Sequence, residues 1–276
     1  MSSKSELLLH QRIWAESRGL EPDSRGYLAD VAANLFRPIH SKTKSAFDSG
    51  SGSELQDTPS RPAKMKALHS SSALAVNVFD SWVEGDKSAL QAALQLDTAI
   101  TAISFEAQYP TNLTGNPPNL DVTLELADGF TIGIESKFSE WLTPKSASKE
   151  PFKSKYFPGE DGLWKMNGLP KSQRLAVQMK VGARQFRYLD AAQLLKHALG
   201  MATQLGDRFS LFYIYLDWSG KESAMHAEEI DQFADLIDPE LGFRVITYQQ
   251  LFSCFKDTSD VDAEYLEYVS KRYGVS

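Results

Sequence analysis

The sequence lacks the features that mark secreted, membrane and zinc-binding proteins. Its 276 residues include one cysteine, Cys254, which excludes an internal disulfide framework and fits a reducing compartment. The first residues lack the apolar run of a signal peptide, and no stretch approaches membrane-spanning length. The five histidines lack zinc-site spacing, and no glycine-rich phosphate loop is present. We therefore expect a cytoplasmic protein with no membrane partner.

The hydrophobic pattern predicts a sheet covered by helices, after a helical N-terminal extension. In the extension, residues 1–69, we predict helices at 5–19 and 27–36 and a flexible, Ser-, Gly- and Pro-rich loop at 45–62. From residue 70 to 276 the predicted order is helix, three strands, helix, strand, helix, strand. The predicted strands are 100–109, 118–126, 129–138, 209–218 and the start of 243–252, and the helices between the later strands are 190–205 and 226–237. This spacing favours parallel pairing of the last strands.

Two neighbouring predicted strands carry ionisable side chains on one face. Alternation places Asp121 on the polar face of one strand, and Glu135 and Lys137 on the polar face of the next. Partners across an antiparallel pair must share a face, so a three-residue loop, 127–129, is predicted, with Gly129 at positive φ. That register places Asp121 opposite Glu135, with Cβ atoms roughly 4.5–5.5 Å apart.

Two carboxylates this close are destabilising unless a cation neutralises them. Mg²⁺, with Mn²⁺ as the alternative, binds a few carboxylates together with waters and phosphate oxygens. Lys137 would reach the same pocket and orient or deprotonate an attacking water. Glu106 on the first strand is a candidate third carboxylate, although an ordinary surface role fits it equally well. The pattern predicts phosphodiester hydrolysis, and its plain alternative is an amphipathic hairpin with a surface ion pair.

Positive charge is scarce overall but concentrated after these strands. The net charge is −7, yet residues 141–189 hold ten Lys and Arg against three acidic residues, which gives +7 there and −14 elsewhere. A solvated basic loop would explain the segment, but phosphate contacts need Lys and Arg beside the chemistry. The candidate nucleic-acid-binding residues are Lys145, Lys149, Lys153, Lys155, Lys171, Arg174 and, on the next helix, Lys196.

Asp121 followed by Glu135-Ser136-Lys137 resembles the PD-(D/E)XK motif of the restriction-endonuclease-like nuclease superfamily. Pro118 lies three residues before Asp121 and not beside it, which departs from the name of the motif. The segments that are similar to a bacterial branch of restriction endonucleases are SSSALAVNVF, FEAQYP, GNPPNLDV, IESKF and LDAAQLLKHALG.

The resemblance implies a three-layer α/β/α sandwich with a mixed central sheet and the core order αβββαβ. It implies that Asp121, Glu135 and the backbone carbonyl of Ser136 bind the metal, and that Lys137 assists the water. Gln193 resembles a helical glutamine that contacts the site in some relatives, with simple solvation as the alternative. The implied activity is a DNA endonuclease of restriction or other defence type that acts on double-stranded DNA. A homodimer stays open, because cleavage of both strands often uses two copies.

Two other classes of function fit parts of the sequence. A catalytically silent nuclease-fold module would bind nucleic acid or a protein partner, but such a module would be expected to lose Asp121, Glu135 or Lys137. A metal-dependent hydrolase of another substrate fits the carboxylates and leaves the basic segment unexplained.

Overall fold

A mixed five-stranded β-sheet is the central element of the computed structural model. The structure describes residues 2–50, 52–146, 150–159, 162–258 and 261–274. The strands are β1 (Ile100–Gln108), β2 (Asn119–Leu126), β3 (Thr131–Lys137), β4 (Phe209–Tyr215) and β5 (Arg244–Thr247). The helices before the sheet are α1 (Ser3–Ser17), α2 (Ser41–Ser49), α3 (Ser71–Phe79) and α4 (Ser88–Ala93). The later helices are α5 (Leu163–Met166), α6 (Pro170–Lys180), α7 (Ala191–Leu205), α8 (Lys221–Ile237), α9 (Tyr248–Lys256) and α10 (Ala263–Tyr273).

The strands lie in the sheet in chain order. β1, β2 and β3 pair antiparallel, β4 joins β3 in parallel, and β5 joins β4 in parallel. Parallel strands need a long crossover, which the helices between β3 and β4 and the helix α8 supply. The predicted three consecutive strands, and the predicted parallel pairing at the end of the chain, are confirmed. The chain is an α/β protein with a mixed sheet.

The β2–β3 hairpin has the predicted register. Val122 pairs with Ile134, and the next step in the same register places Asp121 opposite Glu135. The connection is a three-residue loop, in which Gly129 has φ of 78°. Glycine adopts this left-handed conformation without the steric cost that a Cβ would bring. The prediction that face parity requires a three-residue loop is therefore confirmed.

Helices lie against both faces of the sheet. On one side the Oγ of Ser136 shares a hydrogen bond of 2.7 Å with the phenol of Tyr248 on α9. On the other side Glu135 meets His197 of α7. Since consecutive residues of β3 point to opposite faces, these contacts place α9 and α7 on different sides. The predicted helix at 190–205 is confirmed as α7, whose first turn is capped by Asp190.

The N-terminal extension differs most from its prediction. The helix predicted at 5–19 is confirmed as α1, but the helix predicted at 27–36 is wrong, because only Ala32–Asn34 forms a single 3₁₀ turn there. The predicted loop at 45–62 is wrong in its first residues, since α2 continues to Ser49. Small polar residues in this stretch favour a loop, and tertiary packing overrides that local preference.

Packing against the sheet explains why the residues of α2 form a helix and not a loop. The ring of Phe47 on α2 lies 5.8 Å from that of Phe105 on β1. On α1, Trp14 meets Tyr268 of α10 edge to face at 5.7 Å. Residues on both sides of position 69 thus share one hydrophobic core. The division of the chain at 69/70 stays a prediction, and no helix in the described ranges is long and apolar enough to cross a membrane.

Candidate active site

Three side chains meet where β2 begins and β3 ends. Asp121 lies at the start of β2, and its Oδ2 accepts a hydrogen bond of 2.7 Å from the backbone N–H of Ser136 on β3. On β3, the ammonium of Lys137 forms an ion pair with Oε1 of Glu135. The hairpin register and the alternation of the strands produce this arrangement, because Asp121, Glu135 and Lys137 belong to the same face of two adjacent strands.

Glu135 is the most enclosed member of this group, with 1% of its surface exposed. Its Oε2 lies 3.0 Å from Nε2 of His197, while Lys137 faces Oε1. Burial alone would raise the pKa of Glu135, but the charges of Lys137 and His197 outweigh it and lower the pKa to about 2. The carboxylate therefore stays ionised at neutral pH.

The neighbouring charges at this site also shift the pKa values of Asp121 and Lys137. Burial and the charge of Glu135 raise the pKa of Asp121 well above its usual range, although Lys137 and the N–H of Ser136 act in the opposite direction. Burial alone would lower the pKa of Lys137, but the carboxylates of Glu135, Asp121 and Glu140 raise it well above its ordinary value. Lys137 is thus a fixed cation, and the pair of carboxylates beside it carries an electrostatic cost.

The two accessory candidates also lie at this site. Glu106 on β1 stands across from Asp121 in the β1–β2 register, and its Oε2 accepts a hydrogen bond from Nδ2 of Asn119. Burial raises the pKa of Glu106, against the effect of the Asn119 hydrogen bond. Gln193 on α7 accepts a hydrogen bond of 3.3 Å from the ammonium of Lys137 through its Oε1.

His197 is the site residue that sequence reasoning missed. Leu194, Leu195, Ala198 and Leu199 form the apolar stripe that the sequence of α7 predicts to be buried, and this stripe excludes His197. Only 2% of the His197 surface is exposed, so the prediction is wrong for this residue. A usable signal was present: Gln193 precedes His197 by four residues, and side chains four apart share one helix face. If Gln193 contacts the site, His197 faces it one turn later.

The donor set fits a divalent cation bound partly by water. Within the described residues, no group of three or more His, Cys, Asp and Glu side chains is arranged to hold a metal. Both oxygens of Glu135 have close ion-pair contacts, yet neither has a hydrogen-bond partner of good geometry among those residues. Two carboxylates, a backbone carbonyl at Ser136 and several waters would suit Mg²⁺, which dehydrates reluctantly.

The extension contributes to the solvent-filled space beside Asp121. A cavity of about 390 Å³ is lined by Asp121 and Glu106 from the sheet, by Glu140, and by Tyr27 and Lys64 from the extension. Residues 70–72, at the start of α3, complete part of its wall. The extension therefore forms one side of the approach to the carboxylates.

The candidate nucleic-acid-binding residues divide into two groups. A second cavity, of about 600 Å³, is lined by Lys145, Lys153, Lys155 and Lys196, among other residues. Lys171 and Arg174 on α6 instead line a separate depression beside α8. Lys149 lies outside the described residues. The basic segment therefore does not form a single continuous surface with all of its predicted members.

The chain is thus an α/β protein whose mixed sheet carries two carboxylates and a lysine side by side. The chain belongs to the family described as restriction endonuclease associating with ARP, whose match covers residues 9–274. This confirms the resemblance to restriction-endonuclease-like proteins that the sequence motifs indicate. A search of curated proteins found no match, and a search of solved structures found none.

Proposed function

We propose that this protein is a metal-dependent nuclease of the PD-(D/E)XK type that cleaves DNA in a restriction or other defence system. The observation that carries the proposal is the buried pair of Glu135 and Lys137 with Asp121 on the adjacent strand. Membership of a restriction-endonuclease family supports it. In this proposal α3, β1–β3, α7 and β4 form the αβββαβ core of the three-layer sandwich.

Each side chain has a separate task in this proposal. Asp121, Glu135 and the carbonyl of Ser136 would hold Mg²⁺ or Mn²⁺, which stabilises negative charge on the phosphate and on the leaving oxygen. The ammonium of Lys137, held between Glu135 and Gln193, would donate hydrogen bonds to the attacking water or to a phosphate oxygen. In the metal-free protein the neighbouring carboxylates keep Lys137 protonated, which suits a task of orienting the water and stabilising charge.

Replacement of Lys137 tests the proposal directly. We expect the wild type to nick supercoiled plasmid with Mg²⁺ or Mn²⁺ and to be inactive with EDTA. In Lys137→Ala the rate is expected to fall by about 10²-fold or more, as for the loss of one well-placed transition-state donor. Lys221→Ala, which removes an exposed cation at the start of α8, is the matched control and should cut at the wild-type rate.

Two results would count against a nuclease. One is the absence of cleavage of any DNA or RNA with either metal, and the other is unchanged cleavage in folded Lys137→Ala. Steeply salt-dependent binding of DNA that persists in an Asp121 variant, without cleavage, would favour the catalytically silent module.

His197 is expected to act on the site by positioning Glu135. Its Nε2 lies 3.0 Å from Oε2 of Glu135, close enough to limit the orientations open to the carboxylate. Groups that orient a metal ligand typically contribute 10–100-fold to metal affinity or activity. We expect His197→Ala to lower cleavage by roughly this factor and to raise the Mg²⁺ concentration needed for half-maximal rate. His197→Asn, which retains a donor, should recover part of the loss, whereas a purely structural role predicts equal activity at saturating Mg²⁺ for both variants.

A further inference from the structure

The larger of the two cavities lies next to the candidate active site, at the first turn of α7. Asp190 caps this helix, its Oδ1 accepting a hydrogen bond of 3.1 Å from the N–H of Gln193. Gln193 in turn accepts from Lys137. Asp190 also lines the cavity, together with Ala191 and Ala192. The first turn of α7 therefore lines the cavity with one set of residues and contacts Lys137 of the candidate active site through Gln193.

The lining of this cavity has two chemical halves. One part is charged: Lys145 is ion-paired with Asp190, Lys153 is exposed, and Lys155 donates to the carbonyl of Thr114. Lys196 also lines it, so four lysines stand against the two carboxylates of Glu150 and Asp190. This excess of lysines along one rim suits phosphate groups. The other half is apolar and aromatic, and consists of Tyr156, Met179, Phe186 and Leu189.

Aromatic packing lies beneath the basic rim of the cavity. Tyr156 stacks on Trp164, with ring centroids 5.7 Å apart, and Trp164 donates to the carbonyl of Leu195 on α7 at 2.7 Å. The ammonium of Lys196 lies 5.9 Å above the ring of Tyr156. The edges of these buried apolar side chains, next to lysines, form a surface of the kind that contacts bases and phosphates of single strands.

The size and lining favour an unpaired nucleotide over an intact duplex. Cavities of roughly 300–1,000 Å³ hold small ligands, and this one has about 600 Å³. A base inside a duplex presents only its edges in the grooves, because its faces are covered by its neighbours. A base can pack against an apolar wall only when the face of the base is exposed, as in single strands and extruded nucleotides.

A smaller depression adjoins this cavity, and the two together are called the groove. The depression has a volume of about 270 Å³ and shares Lys145, Met179 and Phe186 with the first cavity. Its additional basic residues are Lys180, Arg184 and Arg187. Basic side chains thus continue along the rim, as a bound strand of several nucleotides requires.

We propose that this groove binds an unpaired segment of the strand that is cut, so that the preferred substrate contains single-stranded nucleotides beside the cleavage site. The inference rests on the proposed nuclease function for its biological meaning, but its binding step is measurable without cleavage. A single-stranded tail and a single extruded nucleotide offer the groove the same chemistry, and the substrates below separate them.

Binding to three matched oligonucleotides tests the groove. They are a fully paired duplex, the same duplex with a single-stranded tail, and the same duplex with one unpaired nucleotide, each labelled with a fluorophore. Anisotropy is measured with Ca²⁺ in place of Mg²⁺, to prevent cleavage. We expect at least one unpaired substrate to bind about tenfold more tightly than the paired duplex. Preference for the tail alone would identify a strand end, and preference for both would identify any unpaired nucleotide.

Two double variants with equal charge separate a specific groove from general attraction. Lys153→Ala with Lys155→Ala is expected to reduce the tenfold preference to about twofold or less. Lys42→Ala with Lys44→Ala, on exposed ion-paired lysines of α2, removes the same charge and should keep the preference. The proposal is overturned if wild type binds all three substrates equally, or if both double variants lose the preference to the same extent. If nothing is cleaved while the preference and its loss in the groove variant persist, the nuclease proposal fails and the groove assignment stands.

Discussion

Replacement of Asp121 by Asn is expected to abolish cleavage and yet to make the metal-free protein more stable. The cleavage rate should fall by about 10³-fold or more, since a bound metal supplies several kcal/mol of charge stabilisation in the transition state. The gain in stability has a different origin. Without a cation the carboxylates of Asp121 and Glu135 repel each other in a buried place, and Asn removes one of the two charges.

The geometry keeps this substitution mild for the fold. The Oδ2 of Asp121 accepts from the N–H of Ser136, and the amide oxygen of Asn can accept the same hydrogen bond. We therefore expect the melting temperature in EDTA to rise by about 2–4 °C for each kcal/mol of repulsion relieved. Addition of Mg²⁺ should stabilise the wild type and leave the variant unchanged, because a ligand stabilises only a state that binds it.

Two further variants give this prediction its controls. Asp231→Asn removes an exposed carboxylate from α8 and should change neither cleavage nor the response to Mg²⁺. Glu135→Gln should lower the melting temperature in EDTA. Glu135 pairs with Lys137 and His197, and its replacement leaves the ammonium of Lys137 without this partner. A melting temperature of Asp121→Asn that still rises with Mg²⁺ would contradict the proposed role of Asp121 as a metal ligand. A melting temperature that falls in EDTA would contradict the repulsion between the two carboxylates.

The hairpin at the centre of this site could be predicted because the rule that decides it is local. Side chains alternate along a strand, partners share a face, and the loop length follows, so Asp121, Glu135 and Gly129 were assigned to their places without knowledge of the rest of the fold. The prediction failed for His197, because its burial depends on the contact with Glu135 of β3, which the sequence of α7 alone does not contain. A strand that presents Glu135 to the helix turns a polar residue into a buried partner.

Charge along the chain is a weaker guide to a surface. Lys145 and Lys155 line one cavity, while Lys171 and Arg174 lie on α6, beside α8. Both groups belong to the same run of basic sequence, but only the packing of the intervening helices decides which side each one faces. For the same reason, the pattern of the sequence does not indicate that residues 1–69 line the cavity next to Asp121.

A second large effect is expected at Arg272, which fixes this extension to the C-terminal helix. Arg272 is fully buried on α10. Its guanidinium donates to both the carbonyl and the side-chain oxygen of Asn34, at 2.5 Å each, and to the phenol of Tyr268. The guanidinium also lies 4.5 Å from the ring centroid of Trp14 on α1. One side chain therefore connects three separate parts of the chain.

Arg272→Ala removes these contacts and leaves a void among them. The side-chain oxygen of Asn34 loses its donor in a buried place, and its carbonyl keeps only the hydrogen bond from Asn77. The rings of Trp14 and Tyr268 lose a packing partner. Unsatisfied buried polar groups and a cavity of this kind together cost about 3–5 kcal/mol. We expect a corresponding fall in the urea midpoint. The neighbouring Lys271→Ala, which breaks only an exposed pair with Glu267, should leave the midpoint unchanged.

Unfolding of Arg272→Ala is expected to begin in the extension. Because the extension lines the cavity beside Asp121, the variant should also affect the candidate active site. If Arg272 holds residues 1–69 in place, limited proteolysis of Arg272→Ala under native conditions should first cut around Asn34, while the sheet stays protected. Cleavage of DNA should fall with the loss of the extension, because Tyr27 and Lys64 form part of the wall beside Asp121. Arg272→Lys retains the charge without the two-pronged contact to Asn34, so its stability should lie between those of the wild type and Arg272→Ala. Uniform unfolding of Arg272→Ala, with no early cut in the extension, would show instead that residues 1–69 and the sheet form one cooperative unit.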